Sequence, residues 1–182
     1  MYLQQTQVIR HAQRGISLLE SLISLLILAL GVLGLLSVQL RTITETQTAS
    51  HRIVATRLTD DLFERIKSNP GGWSSLNQYT VGFGAAPAGG DCVAAACTAA
   101  QKAAWDINQW KALVASSLPL GTATSFVSPT DVRQIGVMIG WRANERSADA
   151  DFVAPFNTDV ADGALAVTCP ANRICFLAYG QQ

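Results

Sequence analysis

The most constraining feature of the sequence is a long run of uncharged, mostly apolar residues near its beginning. Residues 21–40, SLISLLILALGVLGLLSVQL, contain no Asp, Glu, Lys, Arg or His. At a rise of about 1.5 Å per residue, a helix of this length spans about 30 Å, the thickness of the hydrocarbon core of a bilayer. No other segment of the 182-residue chain has this character, so the sequence predicts one membrane-spanning helix.

The charges around this run predict its orientation. Residues 1–15 carry Arg10 and Arg14 and no acidic residue, a bias that favours a cytoplasmic N-terminus. Residues 41 onward would then face an oxidising compartment, where the four cysteines are expected to form disulfides. A secretory signal is a weaker interpretation, because its apolar core has only about 7–15 residues before an A-x-A-like site, and no such site follows here.

The composition excludes some functions for the rest of the chain. Thirteen basic and thirteen acidic residues leave no net charge, so no basic surface argues for nucleic-acid binding, and we expect none. The sequence has no spacing typical of a nucleophile with its base, and no phosphate loop or nucleotide motif. We therefore expect no enzyme activity, no catalytic residue and no cofactor.

One acidic residue, Glu20, stands directly before the uncharged run. With its neighbours it forms RGISLLE, residues 14–20, which resembles the processing site of type IV prepilins and the related pseudopilins. In that family a membrane aspartic peptidase cuts after the glycine, the new N-terminal residue is methylated, and a glutamate stands fifth. The resemblance implies cleavage between Gly15 and Ile16 and N-methylation of Ile16. Ile16 is a mild departure, since the family commonly has an aromatic residue or Met there.

The physical cost of Glu20 agrees with this resemblance. An ionised carboxylate in the membrane costs about 2.5–3.5 kcal/mol on insertion scales, so such residues usually have a partner. In a filament, Glu20 of one subunit would neutralise the terminal amine on Ile16 of its neighbour and set the axial register. The alternative is an ordinary single-pass anchor that carries a glutamate by chance and is not cleaved.

An amphipathic segment follows the apolar run. Uncharged, mostly apolar residues recur there every three or four positions, as on one face of a helix, at Ile43, Gln47, Ser50, Val54, Leu58, Leu62 and Ile66. Ile53 and Phe63 widen this face, and the sequence NPGG of residues 69–72 ends the helix. We predict a leader at 1–15, a long helix at 16–68, membrane-spanning over 16–40 and amphipathic over 41–68, and a globular head at 69–182.

The head combines a helix with strands. Residues 69–97 read as irregular, and residues 98–117 as a helix with a capping box of Thr98 and Gln101. Strict alternation makes residues 134–142 the clearest strand. Shorter candidate strands lie near 152–156, 164–169 and 174–179. The predicted fold class is α+β: a type IV pilin fold, in which a small antiparallel sheet packs on the second half of the long helix.

The head also resembles the PilV-type minor pilins. The resemblance lies in AWDINQW at 104–110, LPLG at 118–121, IGVMIGWR at 135–142 and the cysteine pair in CPANRIC at 169–175. It implies a minor pilin in a priming or tip complex with other minor pilins and the major pilin. It also implies contact with the prepilin peptidase/N-methyltransferase and an inner-membrane assembly platform. The head would lie in the periplasm of a Gram-negative cell before entering the pilus. A minor pseudopilin of a type II secretion system is the alternative.

Four cysteines allow three pairings. The sequence favours Cys92 with Cys97 and Cys169 with Cys175, because each pair brackets a short, turn-rich loop. A zinc site would require tighter C-x₂₋₄-C spacings, so we expect no metal.

Overall fold

The structure is a computed structural model that describes residues 17–84, 86–142 and 167–181, apart from the side chains of 44 and 45. The chain divides into two compact units, Met1–Ile43 and Thr44–Gln182. One helix, α1, runs from Leu18 to Ser68 and contributes to both.

In the first unit, α1 is apolar on every side. Its large apolar side chains are all exposed, from 47% at Leu36 to 81% at Leu18. The hydroxyls of Ser24 and Ser37 donate to the carbonyl oxygens four residues earlier, at 2.8 and 3.2 Å, which satisfies these polar groups within the helix itself. By length and composition α1 can cross a membrane, in agreement with the sequence prediction.

In the second unit, α1 buries one face in the core. Ala55, Leu62 and Ile66 are 0% exposed and Leu58 is 5% exposed. The prediction was wrong for Ile53, which is 56% exposed. Ile53 precedes Leu62 by nine residues, and at about 100° per residue the two point to opposite sides of the helix.

The end of α1 leads into a short helix that the sequence did not indicate. Gly71 takes a positive φ of 74°, which glycine adopts without steric penalty. Trp73–Tyr79 then forms a 3₁₀ helix within the segment expected to be irregular. Leu76 and Tyr79 of this helix are buried, so tertiary packing holds it in place.

The second α-helix, α2, spans Ala99–Ser117 and confirms the predicted helix. The Thr98 hydroxyl accepts a hydrogen bond from the Gln101 amide at 3.3 Å, and the Gln101 side chain accepts one from the Thr98 amide at 2.9 Å. The predicted capping box is therefore present. Trp110 is 0% exposed, and its Nε1 donates to the Leu58 carbonyl oxygen at 2.7 Å, which joins α2 to α1.

Three antiparallel strands form one sheet in the order β1-β2-β3. The strands are β1, Thr122–Val127; β2, Gln134–Trp141; and β3, Ile174–Gln181. Ile135, Val137, Ile139 and Trp141 face the core at 0–1% exposure, as their alternation predicted. Met138, which points to the other face, is also 0% exposed, so β2 is covered on both sides.

The segment before α2 covers the free edge of β1. Val81 and Ser125 exchange two backbone hydrogen bonds of 2.9 Å. The Thr124 hydroxyl donates to the Val81 carbonyl oxygen at 2.7 Å, and the Thr122 hydroxyl donates to that of Phe83 at 3.1 Å. These bonds occupy groups that an exposed strand edge would otherwise offer to other chains.

The long helix and the small antiparallel sheet confirm the predicted α+β class. The candidate strand near 174–179 corresponds to β3. The candidate strand at 152–156 lies outside the described residues. Of the candidate strand at 164–169, residues 164–166 also lie outside them, and Val167 forms an isolated bridge.

Candidate assembly site

The start of α1 places the carboxylate that the sequence singled out. The Glu20 amide donates to the Ser17 side-chain oxygen at 3.2 Å and to the Ser17 carbonyl oxygen at 3.0 Å. Ser17 therefore caps the helix, and Glu20 lies in its first turn. An acidic residue in this position is favoured by the partial positive charge of the helix N-terminus.

The Glu20 carboxylate itself is exposed. Within the part of the chain that the structure describes, it has no hydrogen-bond or ion-pair partner. Gly15 and Ile16, where cleavage and methylation are expected, lie outside the described residues. The structure thus places an exposed carboxylate at the start of an apolar helix, and no described residue neutralises it.

Ser17 is the residue at this site that sequence reasoning missed. Ser17 and Glu20 have the S-x-x-E spacing of a capping box, so the signal was present. Because the hydroxyl of Ser17 satisfies the Glu20 amide, it fixes the first turn from which the Glu20 side chain extends.

A buried polar cluster surrounds Asp106 in the second unit. The Asp106 carboxylate is 1% exposed. It accepts hydrogen bonds from the Tyr79 hydroxyl at 3.1 Å and from Lys102 Nζ at 3.2 Å, and Arg65 Nη1 lies 3.7 Å away. These partners come from the 3₁₀ helix, α2 and α1, respectively, so one carboxylate joins three elements.

Asn69 and Tyr79 extend this cluster. Asn69 Nδ2 donates to the Tyr79 hydroxyl oxygen at 2.9 Å and to the Ala99 carbonyl oxygen at 2.8 Å. Burial raises the pKa of Tyr79 well above its ordinary value, and the charge of Asp106 acts in the same direction. The phenol therefore remains protonated and donates to Asp106.

Asp106 could have been found from the sequence by its position alone. It lies three residues after Ala103 and four before Trp110, on the apolar face of α2, where a charged residue requires a buried partner. Arg65 also pairs with Asp61 at 2.7 Å, so two carboxylates face two cations in the cluster, which connects α1, the 3₁₀ helix and α2.

Two disulfides close short loops of the second unit. Cys92 is bonded to Cys97, and Cys169 to Cys175. In the first loop, the Asp91 carboxylate also accepts a hydrogen bond from the Val93 amide at 2.9 Å. All four cysteine sulfurs are therefore in disulfide bonds. Among the described residues, no group of three or more His, Cys, Asp or Glu side chains could hold a metal ion.

Two models of protein families match parts of this chain. Residues 10–36 match the prokaryotic N-terminal methylation motif, a span that contains Gly15, Ile16 and Glu20. Residues 37–108 match the Tt1218-like family, described as type IV pilin Tt1218. This second match covers the later part of α1, the 3₁₀ helix and the first half of α2.

The two matches support a type IV pilin. The long apolar N-terminal helix and the small antiparallel sheet have the α+β arrangement of the type IV pilin fold. The pilin family is structural rather than enzymatic. An N-terminal methylation motif on an apolar helix suggests membrane anchoring and a place in a pilus. No curated protein matches the chain, and no solved structure does.

Proposed function

We propose that this chain is a minor pilin of the PilV type that takes part in type IV pilus assembly. It is made as a precursor with a leader at 1–15, cleaved after Gly15 and N-methylated on Ile16. The single observation that supports this most is the exposed Glu20 carboxylate, without a partner among the described residues, at the start of an exposed apolar helix and within a matched methylation motif.

Glu20 acts by pairing with the amine that cleavage creates. An unpaired carboxylate among apolar helices is unfavourable by several kcal/mol. A neighbouring subunit brings a cationic amine on Ile16, and the pair forms only at one axial offset between the two helices. Glu20 therefore both favours entry into the filament and sets the register of the subunit.

The proposed orientation, location and partners of the chain follow from the same helix. Arg10 and Arg14 hold the N-terminus in the cytoplasm, and residues 16–40 span the inner membrane. The second unit folds in the periplasm, where its two disulfides are stable. Its partners are other minor pilins and the major pilin, in a priming or tip complex on the inner-membrane assembly platform. The prepilin peptidase/N-methyltransferase acts on it before assembly.

The first experiment is mass spectrometry of the N-terminus of the membrane-extracted protein. We expect a methylated Ile16 terminus in cells that process other prepilins, and a retained leader in the Gly15→Val variant. An intact leader in the unaltered protein would overturn the proposal.

A second experiment tests Glu20 and the kind of assembly. We expect Glu20→Gln to be processed normally but to be lost from sheared surface pili, because only the pairing is removed. Glu64→Gln, a matched carboxylate change on the exposed side of α1, should enter pili normally. Recovery of the protein only in a type II secretion complex would favour the pseudopilin alternative.

A further inference from the structure

A shallow groove opens on the surface of the second unit. It has a volume of about 360 Å³ and lies between α2, residues 83, 84 and 86, and the start of β1. Most of its wall is apolar, formed by Phe83, Ala86, Ala112, Ala115 and Ala123. Its polar side chains are Asn108, Lys111 and Thr122. None of the lining residues that the structure describes is acidic.

Lys111 brings a positive charge into this groove, and no described residue of the groove carries a counter-charge. Its Nζ donates to the carbonyl oxygens of Gly82, at 2.6 Å, and Gly84, which fixes the side chain but does not neutralise it. No carboxylate among the described residues forms an ion pair with Lys111, whereas Lys67 pairs with Glu64. Partial burial lowers the pKa of Lys111. Two of its three N–H donors are used, so one remains for a ligand.

Leu120 adds a fixed apolar group beside the groove. It immediately precedes Gly121, which lines the groove. Its φ is +49°, a left-handed conformation that is disfavoured for a branched side chain. The conformation belongs to a turn, because the Gly121 amide donates to the Leu118 carbonyl oxygen at 2.9 Å and Leu120 follows Pro119, at the turn position where φ is positive. Leu120 is 62% exposed, so this turn presents an apolar side chain at the surface.

We propose that this groove docks a carboxylate-bearing, aliphatic segment of a different subunit of the pilus complex. The carboxylate pairs with Lys111, and the flanking aliphatic side chains cover the alanine wall. The charge of Lys111 selects an acidic partner, since no described lining residue neutralises it. A small metabolite fits less well, because ligand pockets usually enclose most of their ligand and this groove is open. The inference rests on the proposed function, which supplies the neighbouring subunits.

The test uses the full chain in detergent micelles, with isotope-labelled lysine side chains followed by NMR. The probes are the peptides acetyl-Leu-Glu-Leu-amide and acetyl-Leu-Gln-Leu-amide. We expect the glutamate peptide to shift the Lys111 signal saturably, and to bind about fivefold more tightly than the glutamine peptide, as for a partly exposed ion pair. Equal affinities, or no binding of either peptide, would overturn the proposal.

Two variants and a control make the result specific. Lys111→Gln should abolish the preference for the glutamate peptide, and Lys67→Gln should retain it. If Lys111→Gln does not fold, Ala112→Glu replaces it, because this change leaves the lysine and its carbonyl contacts in place. An acidic side chain at 112 should prevent binding of the glutamate peptide. A preference that survives in a folded variant would contradict the role of Lys111.

A cellular measurement identifies the occupant. With a photo-cross-linking residue at Ala115, we expect the captured peptide to come from another subunit and to contain Asp or Glu. Capture of a second copy of this chain would refute the proposed occupant. The peptide titration does not depend on pili, so a chain that proves absent from pili would overturn the proposed function and leave the groove measurement intact.

Discussion

Replacing Asp106 with alanine tests the buried cluster that joins α1, the 3₁₀ helix and α2. The Tyr79 hydroxyl would lose a buried acceptor 3.1 Å away, at a cost of about 1–3 kcal/mol. Lys102 and Arg65 are 30% and 24% exposed, so each can turn toward water, and each lost ion pair costs at most about 1 kcal/mol. We expect the free energy of unfolding to fall by about 3 kcal/mol.

Urea denaturation of the full chain in detergent measures this change. All four tryptophans, at 73, 105, 110 and 141, lie in the second unit, so their fluorescence reports its unfolding and not that of the apolar helix. With a typical urea dependence of about 2 kcal/mol per molar, the midpoint should fall by about 1.5 M. The midpoint of Asp106→Asn, which keeps an acceptor for Tyr79, should fall by less.

Asp60→Ala is the matched control, because Asp60 is exposed on α1. Its free energy of unfolding should change by less than about 0.5 kcal/mol. If Asp106→Ala lowers the midpoint no more than Asp60→Ala does, the cluster contributes no stability and the reasoning is refuted.

Three further changes test other features of the second unit. Burial raises the pKa of Tyr79 in the folded chain. The protonated phenol therefore contributes its full stability below the ordinary tyrosine pKa of about 10, and this contribution is lost as the pH rises above that value. Tyr79→Phe should remove this alkaline loss in urea titrations, and an unchanged pH profile would contradict it. Replacing Cys92 and Cys97 with serine should lower the free energy of unfolding by up to about 2 kcal/mol, the chain-entropy value for so short a loop; a result near zero would mean that the hydrogen bonds of the loop suffice. A side-chain Cβ at Gly121 would lie 2.3 Å from a carbonyl oxygen of α2, so Gly121→Ala should lower the free energy of unfolding by about 1–3 kcal/mol. A Cβ at Gly82 would have no atom within 4 Å, so Gly82→Ala should not lower it. Equal urea midpoints for the two variants would refute the close contact.

The elements that the sequence predicted best are those with a long, regular pattern. α2 carries its own start signal at Thr98 and an apolar face, and both persist in the structure. β2 alternates over eight residues. In each case the pattern arises from side chains a few positions apart in one element, so it survives without knowledge of the rest of the fold.

The 3₁₀ helix was missed because its stability comes from elsewhere. Its apolar residues Trp73, Leu76 and Tyr79 recur every three positions, the period of a 3₁₀ helix, but seven residues are too few for this pattern to stand out in a segment rich in turn signals. Its buried residues Leu76 and Tyr79 are held by partners on other elements. The exposed position of Ile53 was missed for a different reason. Ile53 was assigned to the buried face by its apolar type, although the helical period places it opposite Leu62, so the sequence already contained the correct answer.

The sequence alone determined the length of the apolar segment, the position of Glu20 before it, and the presence of four cysteines. These properties depend on composition and on spacing within one helix. Only the tertiary structure decided which groups pair with Asp106, that residues 79–83 cover the edge of β1, and that Lys111 faces a groove in which no described residue is acidic. The physical reason is distance along the chain: Asp106 and Tyr79 are 27 residues apart, and the oxygens of Ser125 and Tyr79 that share a hydrogen bond are 46 residues apart. Contacts at such separations arise from the packing of whole elements, which no local pattern encodes.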